Sequence, residues 1–165
     1  MTTTENTGDL QALLRRVRRL EEIETARGFF QEYAATMDDP TPESAAALFA
    51  EDAVLHTRKG DNVRRFTGRE EIAGFYRAVF TAEPWDKRHF IVNPQAIWLG
   101  EGRVRIKSHF LFLGCADERS VLGWGTYDDT IAVQGDSACF TEKTMWLHVR
   151  TDLETGWSAR ALRRG

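Results

Sequence analysis

"RVRIKSHFLFLG", residues 103–114, sets Val104, Ile106 and Phe110 on one side of an extended chain and Arg105, Lys107 and His109 on the other. Such alternation marks a strand with one buried face, because successive side chains point to opposite sides. Stretches of the same character surround it: "HFIVNPQAIWL" (89–99), "SVLGWGTYDDTIAV" (120–133), "ACFTEKTMWLHVR" (138–150) and "GWSARALRR" (156–164) are rich in β-branched or aromatic residues. The separators "GEG", "ADE", "QGDS" and "DLETG" carry turn chemistry, so the second half reads as an antiparallel meander. Pro94 interrupts the first of these strands and predicts a bulge or an edge position.

The first half has a different period. From Leu10 the apolar residues Leu13, Leu14, Val17, Leu20, Ile23, Ala26, Phe30, Tyr33, Ala34 and Met37 follow in steps that fit one helical stripe. Asp38, Asp39 and Pro40 stop it, since proline neither continues a helix nor leaves its predecessor free to do so. Thr41 then predicts an N-cap with Pro42 at the first helical position, opening a short alanine-rich helix to about Ala50. "AVLHTRKGDNVRRF" reads as a strand and turn. Thr67 and Glu70 have capping-box spacing ahead of a helix with Ile72, Phe75, Tyr76 and Val79 on its apolar face. Helices followed by a meander predict an α+β domain in which the helices cover one face of a curved antiparallel sheet.

At 165 residues with 42% hydrophobic and 28% charged content, the chain fits one folded domain over 10–165 behind a frayed polar N-terminus at 1–9. Its net charge of −3 supplies no field for gathering phosphates, so nucleic acid is not an expected partner. "RRVRR" (15–19) is followed at once by "EEIE" and reads as a solvated helix face. The sequence has no apolar run of ~18 residues and no secretion signal, which predicts a cytoplasmic protein without a membrane partner. Cys115 and Cys139 lack CxxC spacing and read as buried free thiols.

Two polar residues pose the functional question: Asp38 at the end of the first helix and His89 at the start of the first long strand. Histidine titrates near neutrality, and a carboxylate against one ring nitrogen fixes the tautomer and raises the basicity of the other. A phenol nearby can hydrogen-bond to an oxygen that gathers charge, and Tyr33, just before Asp38, is the candidate. Strand alternation favours Ser108 over His109 as the cavity-facing residue. His56 and His148 read as structural. Asp128 and Asp129 in "TYDD" read as a solvated strand end, and no cluster with metal spacing accompanies them, so no metal is expected.

The order "ALFAEDAVLHT", "FTGREEIAGFYRAVF", "RHFIVNPQAIW" and "GWSAR" resembles the SnoaL-like branch of the nuclear transport factor 2-like superfamily over about residues 10–162. The resemblance implies a cone-shaped α+β barrel roll. Within the branch the chain is similar to scytalone dehydratase, hexachlorocyclohexane dehydrochlorinase and the bile-acid 7-alpha-dehydratase. That similarity implies a cofactor-independent lyase or isomerase, of dehydratase or polyketide cyclase type, acting on a small hydrophobic cyclic substrate. It further implies His89 as base, Asp38 as its orienting carboxylate and Tyr33 as a donor. Ser108, Phe110, Trp124, Trp146 and Arg160 are the expected substrate contacts. Gly114 stands where scytalone dehydratase has a second pocket histidine, which argues for a different substrate. A homodimer or homotrimer is expected. The "RH…N" strand start formed by Arg88, His89 and Asn93 is shared with the β subunits of aromatic-ring dioxygenases, giving a non-catalytic alternative beside that of a small-molecule-binding module without turnover.

Overall fold

In a computed structural model, describing residues 3–83, 86–100, 102–116 and 119–156, the chain forms three helices and one six-stranded sheet. Helix α1 (Thr3–Thr36) leads to the short α2 (Pro42–Ala47) and a hairpin of β1 (Phe49–Lys59) and β2 (Asn62–Thr67). Helix α3 (Arg69–Ala82) precedes the four long strands β3 (Asp86–Gly100), β4 (Arg103–Ala116), β5 (Arg119–Gln134) and β6 (Ser137–Asp152). The sheet order is β2-β1-β6-β5-β4-β3. Every pairing is antiparallel except β1 with β6, which run parallel. This is the α+β architecture expected from the meander, a curved and unclosed sheet with the helices packed on it. The stretch 157–164, read above as a further strand, lies outside the described residues.

Local chemistry explains the element ends. Thr41 caps α2: its hydroxyl accepts the Ser44 N–H at 3.0 Å while Ser44 Oγ accepts the Thr41 N–H at 2.9 Å. The capping box expected at Thr67 and Glu70 is not formed, because Gly68 takes the N-cap position and the Thr67 N–H donates to Glu71 Oε2 at 2.7 Å instead. What reads in sequence as a strand and turn is a full hairpin, closed by Gly60 at φ +58 just as Gly135 at φ +60 closes β5 to β6. Pro94 meets both expectations for it: β3 is an edge strand, and its register against β4 shifts between Val92 and Gln95, where Asn93 takes φ +53.

The first helix divides into two parts. From Glu22 onward it buries Ala26, Phe29, Phe30 and Tyr33 against the sheet, and Met37 just past its end is buried as well. Leu10, Leu13, Leu14, Val17 and Leu20 continue the same stripe but stand 41–66% exposed. Glu22 marks the boundary, accepting from Trp98 Nε1 at 2.6 Å and from the Gly102 N–H at 3.0 Å, and so fastens α1 to the β3–β4 hairpin. The inner face of the sheet carries Val104, Ile106, Phe110 and Phe112 from β4 and Val121, Tyr127, Ile131 and Val133 from β5, all buried.

Candidate active site

Between α1, α3 and the inner face lies a cavity of about 640 Å³. Met37, Phe75, Val79, Phe80, Phe110, Phe112, Met145 and Leu147 give it an apolar wall. Tyr33, Asp38, Tyr76, His89 and Tyr127 are among the polar residues that line it, together with Asp39, Thr57, Asn62, Glu83 and Asp86, and Arg58, Lys59, Arg64, Lys87 and Arg150 add cations. Glu83 at the end of α3 pairs with Lys87 at 2.9 Å and with Arg150, tying α3 to β3 and β6 beside this space.

Room for the aromatic wall is made by glycine. A Cβ on Gly123 would lie 2.3 Å from the Phe112 ring, and one on Gly125 would lie 2.6 Å from the Phe110 ring and 2.0 Å from the Trp146 carbonyl oxygen. Phe110 is therefore free to stack on Tyr127 with ring centroids 4.3 Å apart, and Phe112 comes within 6.0 Å of the His89 ring.

Folding brings Asp38 and His89 together, in a manner the sequence did not specify. Asp38 Oδ1 accepts the backbone N–H of His89 at 2.7 Å, joining the end of α1 to the start of β3. The same oxygen lies 3.9 Å from His89 Nδ1, an ion-pair distance that is longer than a hydrogen bond. His89 Nδ1 is buried and has no hydrogen-bond partner among the described residues. Burial pushes the imidazole down to about 4, while the Asp38 carboxylate and the Met37 carbonyl pull upward and the Lys87 and Lys143 ammonium groups push further down. The ring is therefore neutral at pH 7 and able to accept a proton.

Tyr33 reaches the cavity wall, buried, and donates to the Tyr127 hydroxyl at 3.4 Å. Ser108 shares the inner face with Val104, Ile106 and Phe110, but it is buried away from the cavity lining, and its Oγ has no partner among the described residues. Phe110 lines the cavity as the sequence reading placed it. Trp124 and Trp146 do not. Trp124 alternates with the inward Gly123 and Gly125, so it points to the outer face, and Trp146 packs there under the Arg58 guanidinium at 4.0 Å and against His148 at 4.7 Å. Arg160 lies outside the described residues.

Asp128 and Asp129 are mid-strand rather than at a strand end. Asp128 takes a two-pronged bond from Arg105, both contacts 2.6 Å, whereas Asp129 is fully buried against Lys143. Among the described residues no cluster of three or more metal-ligating side chains occurs. No helix among them is long and apolar enough to cross a membrane. Sequence reasoning missed Tyr76, Tyr127, Lys143 and Asp129; the one available signal was that Tyr127 and Asp129 share the parity of Gly123 and Gly125 on β5.

Comparison with known proteins gives the family and the fold. Residues 18–151 match the model of the SnoaL-like domain family. No curated protein matches the chain. Among solved structures, a scytalone dehydratase-like protein from Novosphingobium aromaticivorans superposes with TM-score 0.69 at 20% identity, over 83% of this chain and 91% of that one. The hexachlorocyclohexane dehydrochlorinase of Novosphingobium barchaimii gives 0.62 at 18% identity, over 92% and 98%. The β subunit of the benzoate 1,2-dioxygenase of Burkholderia mallei gives 0.65 at 15% identity, over 74% and 87%. These likenesses are of fold. With a family match across most of its length and helices packed on the same kind of curved sheet, the chain belongs to the SnoaL-like domain family of the nuclear transport factor 2-like superfamily.

Proposed function

We propose that the protein is a cofactor-independent lyase or isomerase that removes a proton from a small, mainly apolar cyclic substrate, with His89 as base. The observation that carries this reading is that Asp38 and His89, 51 residues apart, face one largely apolar cavity with 3.9 Å between carboxylate and imidazole. Shortening by about 1 Å makes that contact a hydrogen bond, and catalytic hydrogen bonds tighten in the Michaelis complex. Asp38 then fixes the proton on Nδ1 and leaves Nε2 free to take one from carbon.

The electron pair of the broken C–H bond becomes a new double bond as a neighbouring group departs with its own bonding pair. The imidazolium returns its proton to that group, or to another carbon in the isomerase case. Tyr33 donates to the substrate oxygen on which charge develops. The neighbours named for dehydration and dehydrochlorination share the fold that makes such a chamber. Self-association as a homodimer or homotrimer through the outer face, where Phe90, Val92 and Leu113 are exposed, belongs to the same reading.

The test is turnover of cyclic β-hydroxyketones in heavy water, followed by NMR for deuterium at the carbon next to the carbonyl and for the enone product. Asp38→Asn and His89→Ala should each lower the rate by ~10²–10⁴-fold while the fold is kept. Full activity in either variant rejects the assignment. A second reading, a structural β subunit of an aromatic-ring dioxygenase, is favoured by the likeness to the benzoate enzyme's β subunit. It requires that the chain copurify with a larger iron-containing subunit; isolation as a stable assembly of this chain alone counts against it.

A further inference from the structure

Lys143 and Asp129 form an ion pair in which neither side chain has exposed surface, Nζ to Oδ2 2.6 Å, and Asp129 Oδ1 also accepts the Thr144 N–H at 3.2 Å. Buried pairs of this kind often stabilise a fold no better than apolar residues of the same size, so this one calls for a role. Its ammonium is caged by aromatic rings: the centroids of Tyr127, Tyr33, Phe140 and Phe30 lie 3.7, 4.1, 4.5 and 5.5 Å from Nζ. Lys143 and Asp129 sit behind the cavity, but two of the caging rings, Tyr33 and Tyr127, form its wall.

Those two rings carry the hydroxyl pair already described, and Tyr76 brings a third hydroxyl from α3 to the same chamber. Tyr76 Oη is buried and has no hydrogen-bond partner among the described residues. Burial holds all three phenols above their ordinary range, so they remain donors. Tyr33 directs its O–H to Tyr127, and the Tyr76 O–H is left without an acceptor among the described residues. A buried donor without an acceptor is unfavourable, and the acceptor that relieves it best is an oxygen carrying charge. A cation held on the ring faces draws electron density from the phenols and strengthens their donation.

We propose that Lys143 is a positioning residue: from behind the wall it holds and polarises Tyr33 and Tyr127, which with Tyr76 receive one oxygen anion, the enolate or phenolate oxygen of a cyclic substrate. This rests on the catalytic reading and narrows it. A ring of carbon and halogen alone offers these hydroxyls nothing to bind, whereas a cyclic ketone that ionises next to its carbonyl does.

The probe is 4-nitrophenol, whose anion is followed by its visible absorption, with 4-nitroanisole as the neutral analogue. Bound to the full chain, 4-nitrophenol should ionise at lower pH than in free solution, and its anion should bind more tightly than the anisole. Tyr76→Phe and Tyr127→Phe each remove one oxygen atom and should weaken anion binding roughly tenfold or more, leaving the anisole unaffected. The Lys143→Met, Asp129→Leu double variant should act in the same direction. His89→Ala should keep the preference for the anion.

No anion preference, unchanged binding in both tyrosine variants, or a preference lost with His89 would each overturn the proposal. Should the double variant not fold, the ζ-carbon NMR resonances of Tyr33 and Tyr127 decide Lys143's part: they should move together as the ammonium deprotonates on raising pH, and stationary resonances refute the coupling. Failure of the catalytic reading is separate, since it would show as unaltered turnover in Asp38→Asn with the anion preference intact.

Discussion

Asp38 holds the main chain of His89 more closely than its ring: the carboxylate accepts the backbone N–H at 2.7 Å and stands 3.9 Å from Nδ1. One side chain thus serves as both anchor and source of field. The two duties come apart on substitution. An amide retains an oxygen acceptor for the N–H but carries no charge, while alanine retains neither.

Asp38→Asn should therefore leave the urea midpoint nearly unchanged, whereas Asp38→Ala should destabilise by about 1–2 kcal/mol, at the low end for a charged acceptor because the carboxylate is partly exposed. Equal midpoints for the two variants would show that the anchor contributes nothing.

His89 titrates in an unusual range, and the sign of its effect follows. Its folded-state value, about 4, lies below the ordinary 6.5 because burial disfavours the imidazolium. The stability gained from holding the ring neutral is full above pH 6.5 and is lost as pH falls through about 4, amounting to about 3 kcal/mol. His89→Leu should flatten the stability profile across that window. Because the neutral ring is the base, turnover should fall off only near pH 4. Asp38→Asn, by removing an influence that raises the value, should move this limb lower still. Titration of the His89 ring by NMR checks both; a midpoint near 6.5 in the folded protein would contradict the burial described.

Gly125→Ala should cost about 1–3 kcal/mol, because the added carbon would meet the Trp146 carbonyl at 2.0 Å, and only a shift of β5 against β6 relieves that. Gly114→Ala offers the control: its nearest contacts are 3.2 Å, one of them the Lys87 side chain, so the melting temperature should drop less. Equal drops would mean that β5 and β6 have slack at this point.

Much of this architecture was readable from period alone. The switch from helical steps to alternation separates α1 and α3 from the meander, and Pro94 announces its own bulge. The position of Asp38 was readable from the punctuation that stops α1, whereas His89 stands inside β3, which begins at Asp86 rather than at His89. The inner wall was not. A tryptophan is apolar on either face of a sheet, so Trp124 and Trp146 gave no sign of their own that they point outward; the parity of Gly123 and Gly125 reveals it for Trp124, while for Trp146 on β6 nothing local does. Lys143 and Asp129 lie in "TEKT" and "TYDD", which look like solvated segments. Their burial depends on pairing between β5 and β6, which no local pattern encodes. The exposed portion of α1 shows the converse: Leu10 to Leu20 carry the same periodic signal as the buried portion, since periodicity records which face is apolar but not what lies opposite.

The parallel contact of β1 with β6 bears on how the chain acquires its shape. β1 has only its hairpin partner β2 until nearly all the remaining strands have been made, because the strand on its other side is the last one described. Loop closure over so long a span is entropically slow, and non-local pairing of this sort lowers folding rates. During synthesis on the ribosome, the free edge of β1 must therefore wait, unpaired, for β6 to emerge.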